Sequence, residues 1–239
     1  RRLKGFPKTK KPKISDPENK IRWIDGVWDT KEQIQKKLLD VCTSKWMLFI
    51  DQDELVSGMD EVRAFCEKNR DNGMIYARPK QMHNFFVDFK HTAFSLNPVS
   101  PWAQFGMPHP FLIHRDITGL NFGMFHTMPA DGFGRLIAAD DPAQRKLKTV
   151  LDDVEIFHFG NALGLDKIES KRDYYKTRGD TVVYEDQILN GALAPDMVIA
   201  GFDDFPASIR NILQDHPDFN RTKIKITKKA PHFEFEVVR

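Results

Sequence analysis

Apolar positions fall along this chain in two rhythms. A capping box, Thr30-Lys31-Glu32-Gln33, precedes Ile34, Leu38, Val41 and Cys42, which recur at helical spacing and predict a helix ending near Cys42. Residues 45–50 (KWMLFI) are then apolar on consecutive positions and end in charge, the pattern of a strand covered on both faces. Ser57 and Asp60 open a second helix that turns Val62, Phe65 and Cys66 inward and stops at Asn72-Gly73, and residues 74–78 read as the next strand. Helix, strand, helix, strand is the order of an α/β domain. A short strand is also predicted over 20–25, and further strands over 85–89, 111–115, 122–126 and 154–159. Helices are predicted over 166–178, where Gly179 is a natural stop, and over 207–214, followed by a β-hairpin formed by 224–227 and 233–238. The Pro/Asn/Ser-rich stretch 95–110, which carries Trp102, has the length and composition of a binding loop.

Composition narrows the class. A chain of 239 residues with 41% hydrophobic content and 19 Phe can bury a sizeable core. The predicted elements divide it into a tail (1–19), an α/β body (20–215) and a C-terminal hairpin extension (216–239). No apolar run approaches the ~20 residues of a spanning helix, and no apolar stretch follows the basic N-terminus as in a secretory leader. Arg1, Arg2, Lys4, Lys8, Lys10, Lys11 and Lys13 are basic, with no acid among them. Without these seven residues, acids outnumber bases. A mildly acidic body argues against nucleic acid as a partner, and it makes the tail the surface suited to an anionic membrane or an acidic glycan. Two cysteines, Cys42 and Cys66, exclude a disulfide framework and a cysteine-rich zinc site. As reduced core thiols they predict a cytoplasmic protein, with the tail offering contact to the cytoplasmic membrane face.

The densest chemistry follows the apolar run 45–50. Asp51-Gln52-Asp53-Glu54 sits where a strand would deliver three carboxylates to its C-terminal end, the edge at which open α/β sheets bind ligands. Such carboxylates are hard oxygen donors suited to Mg²⁺ or Mn²⁺. A bare D-x-D is common in loops that merely cap a strand, and the preceding strand is what favours a functional reading. In Val154-Glu155-Ile156-Phe157-His158-Phe159-Gly160-Asn161, a second strand ends in His158, whose neutral imidazole is a fit ligand for the same ion. Taken alone, His158 reads as a structural histidine.

Together these segments resemble the GT-A class of nucleotide-sugar glycosyltransferases, in its inverting, family-two-like branch. The resemblance spans residues 21–179 and is carried by 46–54 and 156–160, followed by a helix rich in Lys, Arg and Tyr. It implies a Rossmann-like mixed sheet flanked by helices. It also implies Mn²⁺ or Mg²⁺ as cofactor, and transfer of a sugar with inversion from a nucleotide-sugar donor to a glycan or lipid-linked acceptor. Carried over, Asp53 would be the main metal ligand, Asp51 would lie near the ribose or the metal, and His158 would complete the coordination. Lys171 and Arg172 would meet the donor diphosphate, where cations stabilise a leaving phosphate.

The acceptor hydroxyl needs a base. Asp131 and His126 are the candidates, with Asp140 and Asp141 weaker because their Ala-Ala-Asp-Asp-Pro context reads as a turn. Trp102, Phe85, Phe86 and Phe105 suit either a sugar platform or, more commonly, a core. Two family features are absent: an Asp-Gly-Ser-x-Asp stretch after a first strand, and the Gln-x-x-Arg-Trp helix of processive members. The first absence predicts a chain lacking the opening βα units, and the second argues against a polysaccharide-extruding synthase. The same residue types are compatible with a metal-dependent phosphohydrolase or nuclease, which would need a second His/Asp cluster, and with a non-catalytic, glycosyltransferase-like binding domain.

Overall fold

The computed structural model describes residues 24, 26, 37–38, 40–51, 53–71, 76–95, 112–114, 148–162, 164–177, 182–193, 197–220, 223–228 and 234–238. Among them the chain is mixed α/β. The elements in order are β1 (Trp46–Leu48), β2 (Glu54–Ser57), α1 (Met59–Lys68), β3 (Tyr76–Phe85), β4 (His91–Ser95), β5 (Leu112–His114) and β6 (Lys148–His158). Then follow α2 (Leu165–Thr177), α3 (Val183–Leu189), β7 (Met197–Gly201), a 3₁₀ turn (Phe202–Asp204), α4 (Ala207–Gln214), β8 (Lys223–Lys228) and β9 (Glu234–Val238).

Seven strands form one sheet and β8–β9 form a separate hairpin. The sheet is built on the long pair β3 and β6, its one parallel pairing among the described residues, running from Tyr76↔Lys148 to Asn84↔His158. The other edge of β3 is shared. Tyr76 and Ala77 pair with β5 and Asn84 and Phe85 pair with β4, both antiparallel. β2 adds antiparallel to β6, β7 to β4 and β1 to β5. The sheet is mostly antiparallel, and the expectation that 45–50 is a strand covered on both faces is corrected. β1 is only three residues long, its residues are partly exposed apart from Met47, and Ile50 is 45% exposed.

Two other strand expectations are redrawn. Residues 74–78 and 85–89 were expected as separate strands, but a single strand spans Tyr76–Phe85 because β6 pairs along its length. Pro79, which cannot donate to a ladder, is absorbed by a register shift between Pro79 and Gln81. Residues 86–89 form a tight turn instead of a strand. Val87 has φ +67°, and the Asp88 N–H donates to the Phe86 carbonyl at 2.8 Å. Left-handed backbone in a β-branched residue costs about 1–3 kcal/mol. Complete burial of Val87, its N–H bond to the Asn161 carbonyl at 2.7 Å, and the buried Asp88 carboxylate hold it there. That carboxylate accepts the Lys90 and His91 N–H groups and meets His91 Nδ1 at 3.0 Å.

The period of two along β6 sends its residues to opposite faces. Val154 and Ile156 join Met82, Leu112 and Leu151 beneath Val62 of α1, with Cys66 partly buried at its margin. Phe157, on the other face, joins Phe85, Phe89 and Phe205 beneath Ile209 and Leu213 of α4. A third cluster gathers Phe86, Val87 and Ala93 with Ile168 of α2, Ile188 of α3 and Phe235 of β9, so the predicted hairpin extension is seated on the body through Phe235. Phe85 and Phe86 are fully buried, which makes them core and not a sugar platform; Trp102 and Phe105 lie outside the described residues. The strands expected at 20–25 and 122–126 and the loop at 95–110 also fall there, apart from Ile24 and from Ser95, which ends β4. The predicted first helix is represented by Lys37, Leu38, Asp40 and Val41, and the helices expected at 166–178 and 207–214 correspond to α2 and α4. No helix among the described residues is long and apolar enough to cross a membrane.

On the α4 face, His83 stacks on Phe157 with ring centroids 4.6 Å apart, and its Nε2 lies 3.3 Å from Glu155 Oε2. The His83 imidazole holds the Glu155 carboxyl below its ordinary value of 4.5, against the opposing effect of burial. A depressed carboxyl stabilises the fold above its unfolded value, and that contribution is lost as pH falls through the folded one. Glu155→Gln is therefore expected to lower stability by about 1 kcal/mol or less near neutrality. The gap to wild type should close as pH drops below 4.5, as followed by urea denaturation across pH. A gap that persists or widens in acid would contradict this pairing.

Candidate functional site

Where the α1-side face leaves its apolar cluster, the strand register brings polar residues into line. Glu54 of β2 pairs with His158 of β6, and His158 pairs with Asn84 of β3. Residues directly opposite share a face, so these three follow the apolar row Val56, Ile156 and Met82 by two residues in each strand. On the far side of Asn84 stands Ala93, which already belongs to the cluster under α2. The polar row thus occupies the seam between two apolar clusters.

Asp53 immediately precedes β2, and its carbonyl accepts the Phe159 N–H at 2.7 Å. That bond ties the D-x-D segment to the end of β6. His158 Nε2 then lies 3.4 Å from Asp53 Oδ2, while His158 Nδ1 lies 2.9 Å from Asn84 Oδ1. The imidazole holds the Asp53 carboxyl below its ordinary value, partly offset by burial, and the charge of Lys171 acts in the same direction as the imidazole. Asp51 and Glu54 close a short loop: the Glu54 N–H donates to the Asp51 carbonyl at 3.1 Å, and Glu54 Oε2 accepts the Asp51 N–H at 3.0 Å. Burial pushes the Glu54 carboxyl up, with the neighbouring carboxylates of Asp51 and Asp53 adding to the effect. Its Oε1 is buried with no hydrogen-bond partner among the described residues.

Lys171 reaches this end of the sheet from α2. Its ammonium donates to Asn161 Oδ1 at 3.0 Å and to the Gly160 carbonyl at 3.4 Å, and lies 5.8 Å from the Tyr175 ring. Burial pulls it below its ordinary value, opposed by Glu185 and Asp53. Arg172, the adjacent cation, instead contacts Glu169, Asp173 and Asp186 at 2.8–3.8 Å. The fold therefore gathers Asp53, His158 and Lys171, with Asp51 tied in through Glu54, and engages Arg172 with acids of α2 and α3. Asp131, His126, Asp140 and Asp141 lie outside the described residues.

Asn84 lies outside both motifs and is not among the residues the sequence singles out. Its only local signal is a polar residue two positions after Met82, on a face that is otherwise apolar; the register with His158 is invisible in one dimension. Asn161 was legible only as a neighbour of the H-x-G motif.

The Asp53 carboxylate is a hard oxygen donor suited to Mg²⁺ or Mn²⁺, and the His158 imidazole nitrogen shifts the fit of the pair toward the transition metal, Mn²⁺. Among the described residues, no group of three or more His, Cys, Asp or Glu side chains is arranged to hold a metal. Magnesium-type sites in phosphate-handling enzymes commonly use one or two protein ligands and take the remainder from substrate phosphates and water, so a two-residue set is consistent with that use.

Gly160 is a steric requirement of the arrangement. A Cβ built there would fall 2.7 Å from both His158 Cε1 and Nε2 and 3.1 Å from Lys171 Nζ. Gly160→Ala is expected to displace the imidazole, shifting the His158 ring resonances in NMR spectra, at about 1–3 kcal/mol of stability, the usual cost of overpacking. Unshifted His158 resonances in a folded variant would show that the glycine is not needed for this contact. Comparison with protein-family models, with curated proteins and with solved structures finds no match to this chain, so the site is read from its geometry.

Proposed function

We propose that this chain is a GT-A-like, Rossmann-related glycosyltransferase domain that moves a sugar, with inversion, from a nucleotide-sugar to a glycan or lipid-linked acceptor. One observation carries the reading. The Asp53 carboxylate and the His158 imidazole, from distant parts of the chain, converge to 3.4 Å at the end of a sheet strand, with a lysine ammonium held beside them. Carboxylate, imidazole and ammonium at one sheet edge are the groups that binding a diphosphate and a divalent cation requires.

In this reading Asp53 and His158 hold Mn²⁺ or Mg²⁺, with Asp51 as the further carboxylate of the motif. When bound, the ion supplies Lewis-acid neutralisation of the charge on the departing nucleoside diphosphate. The chain's own groups do the rest. Lys171, fixed by Asn161 and the Gly160 carbonyl, offers a preoriented positive charge to phosphate oxygens without having to reorganise. Glu54 fixes the Asp51–Glu54 loop through the Asp51 N–H and so positions the motif. The acceptor proton goes to Asp131 or His126. The basic tail provides contact with an anionic membrane face in the cytoplasm.

A panel of nucleotide-sugars assayed for Mn²⁺-dependent transfer or donor hydrolysis tests the proposal. Activity with a preferred donor is expected, together with a loss of about 10²–10³-fold in Asp53→Ala and a comparable loss in His158→Gln. Lys171→Met is expected to lower kcat/KM for the same donor by about 10²-fold, with Lys171→Arg restoring part of it. Phosphate-ester hydrolysis without nucleotide-sugar preference would favour a hydrolase. Absence of both turnover and nucleotide binding would favour a non-catalytic domain.

A further inference from the structure

We infer that Asn84 is the positioning residue for His158, holding its imidazole in the tautomer that carries the proton on Nδ1 and leaves the Nε2 lone pair facing Asp53. The inference deepens the metal-site reading, on which only its Mn²⁺ arm rests.

An amide oxygen can only accept a hydrogen bond, and the atom of Asn84 that meets His158 Nδ1, at 2.9 Å, is Oδ1. The ring nitrogen opposite it must therefore be the donor. A neutral imidazole has one donor and one acceptor nitrogen, so a proton on Nδ1 makes Nε2 the acceptor. Nε2 is the atom directed at Asp53 Oδ2, 3.4 Å away. In that neutral tautomer the Nε2 lone pair and the Asp53 carboxylate repel unless a cation lies between them, which is a proton on Nε2 in the metal-free imidazolium and a divalent ion in its place when metal is bound.

The structure holds this orientation from several sides. Asn84 is 5% exposed and sits midway across the sheet, paired with His158 on one side and Ala93 on the other, so its amide has little room to rotate. Gly160 leaves space for the ring, and any side chain there would press on Cε1 and Nε2. The Phe159 N–H bond to the Asp53 carbonyl fixes the distance between the two strand ends. Histidine ligands generally have their second nitrogen bonded to a fixed acceptor, and removing that acceptor weakens metal binding about 10–100-fold.

The test uses the whole 239-residue chain. Two-bond ¹H–¹⁵N correlation of histidine-labelled protein near pH 8, with His158 assigned by its absence in His158→Gln, reads the tautomer directly. Wild type is expected to show His158 protonated on Nδ1. Asn84→Leu, close in volume but without an acceptor, is expected to move the proton to Nε2, and Asn84→Asp, which keeps an acceptor, to retain the Nδ1 form. A wild-type neutral His158 protonated on Nε2 alone overturns the inference without any variant, as does a folded Asn84→Leu protein whose neutral imidazole keeps the proton on Nδ1. Mn²⁺ binding, followed by the electron paramagnetic resonance signal of the free ion, is expected to weaken about 10–100-fold in Asn84→Leu and to persist in Asn84→Asp. Failure of wild type to bind Mn²⁺ while showing the Nδ1 tautomer would overturn the metal reading and leave the Asn84 assignment standing. Mn²⁺ binding by a wild-type protein with the Nε2 tautomer would do the reverse.

Discussion

The pairing of β6 with β3 on one side and β2 on the other is the constraint on which the rest depends. It sets the register Glu54–His158–Asn84, and with it which polar side chains meet. A slip of one residue in either ladder would send His158 to the opposite face, among the phenylalanines under α4. The rows before Glu54–His158–Asn84, with Val56–Ile156–Met82 two residues away toward α1 and Leu55–Phe157–His83 one residue away toward α4, are largely apolar and make such a slip costly. Core packing and site geometry are thus one property of this sheet.

Around that register the molecule concentrates features that work against stability. Glu54 buries a carboxyl with one oxygen lacking a hydrogen-bond partner among the described residues, and burial pulls Lys171 away from its charged form. Val87 holds left-handed backbone where its N–H meets the carbonyl of Asn161, whose side chain in turn holds Lys171. Buried polar groups and strained backbone cost free energy that surrounding packing must offset, and they tend to collect where a fold positions chemistry. Here they converge on one end of the sheet, between the clusters beneath α1 and α2.

Much of the element pattern was legible in one dimension. The helix spacing of Val62, Phe65 and Cys66, the strand ending at His158 and the helix over 207–214 are visible because each element has its own apolar period. Most of the errors have a shared physical cause. Residues 79–84 carry no strand expectation, yet they lie in β3 because a neighbouring ladder supplies hydrogen bonds that no local propensity reveals. β4 and β7 also had no strand expectation, although Val198 and Ile199 give β7 a local β signal. Consecutive apolar residues at 45–50 suggested a doubly covered strand, but β1 keeps only Met47 buried, because such a run does not reveal which layers pack on it.

The sequence by itself determined the inventory: a D-x-D-E segment, an H-x-G at the end of an apolar strand, and a lysine-bearing helix after it. These follow from composition and local periodicity, which depend on neighbours in the chain. Tertiary structure alone decided which members of that inventory meet. It brought Asp53 to His158, placed Asn84 behind the imidazole, turned Lys171 toward Gly160 and Asn161, and engaged Arg172 with its own acids. Those choices depend on strand register and helix placement, which are set by contacts between residues far apart in the chain and so leave little trace in any single segment.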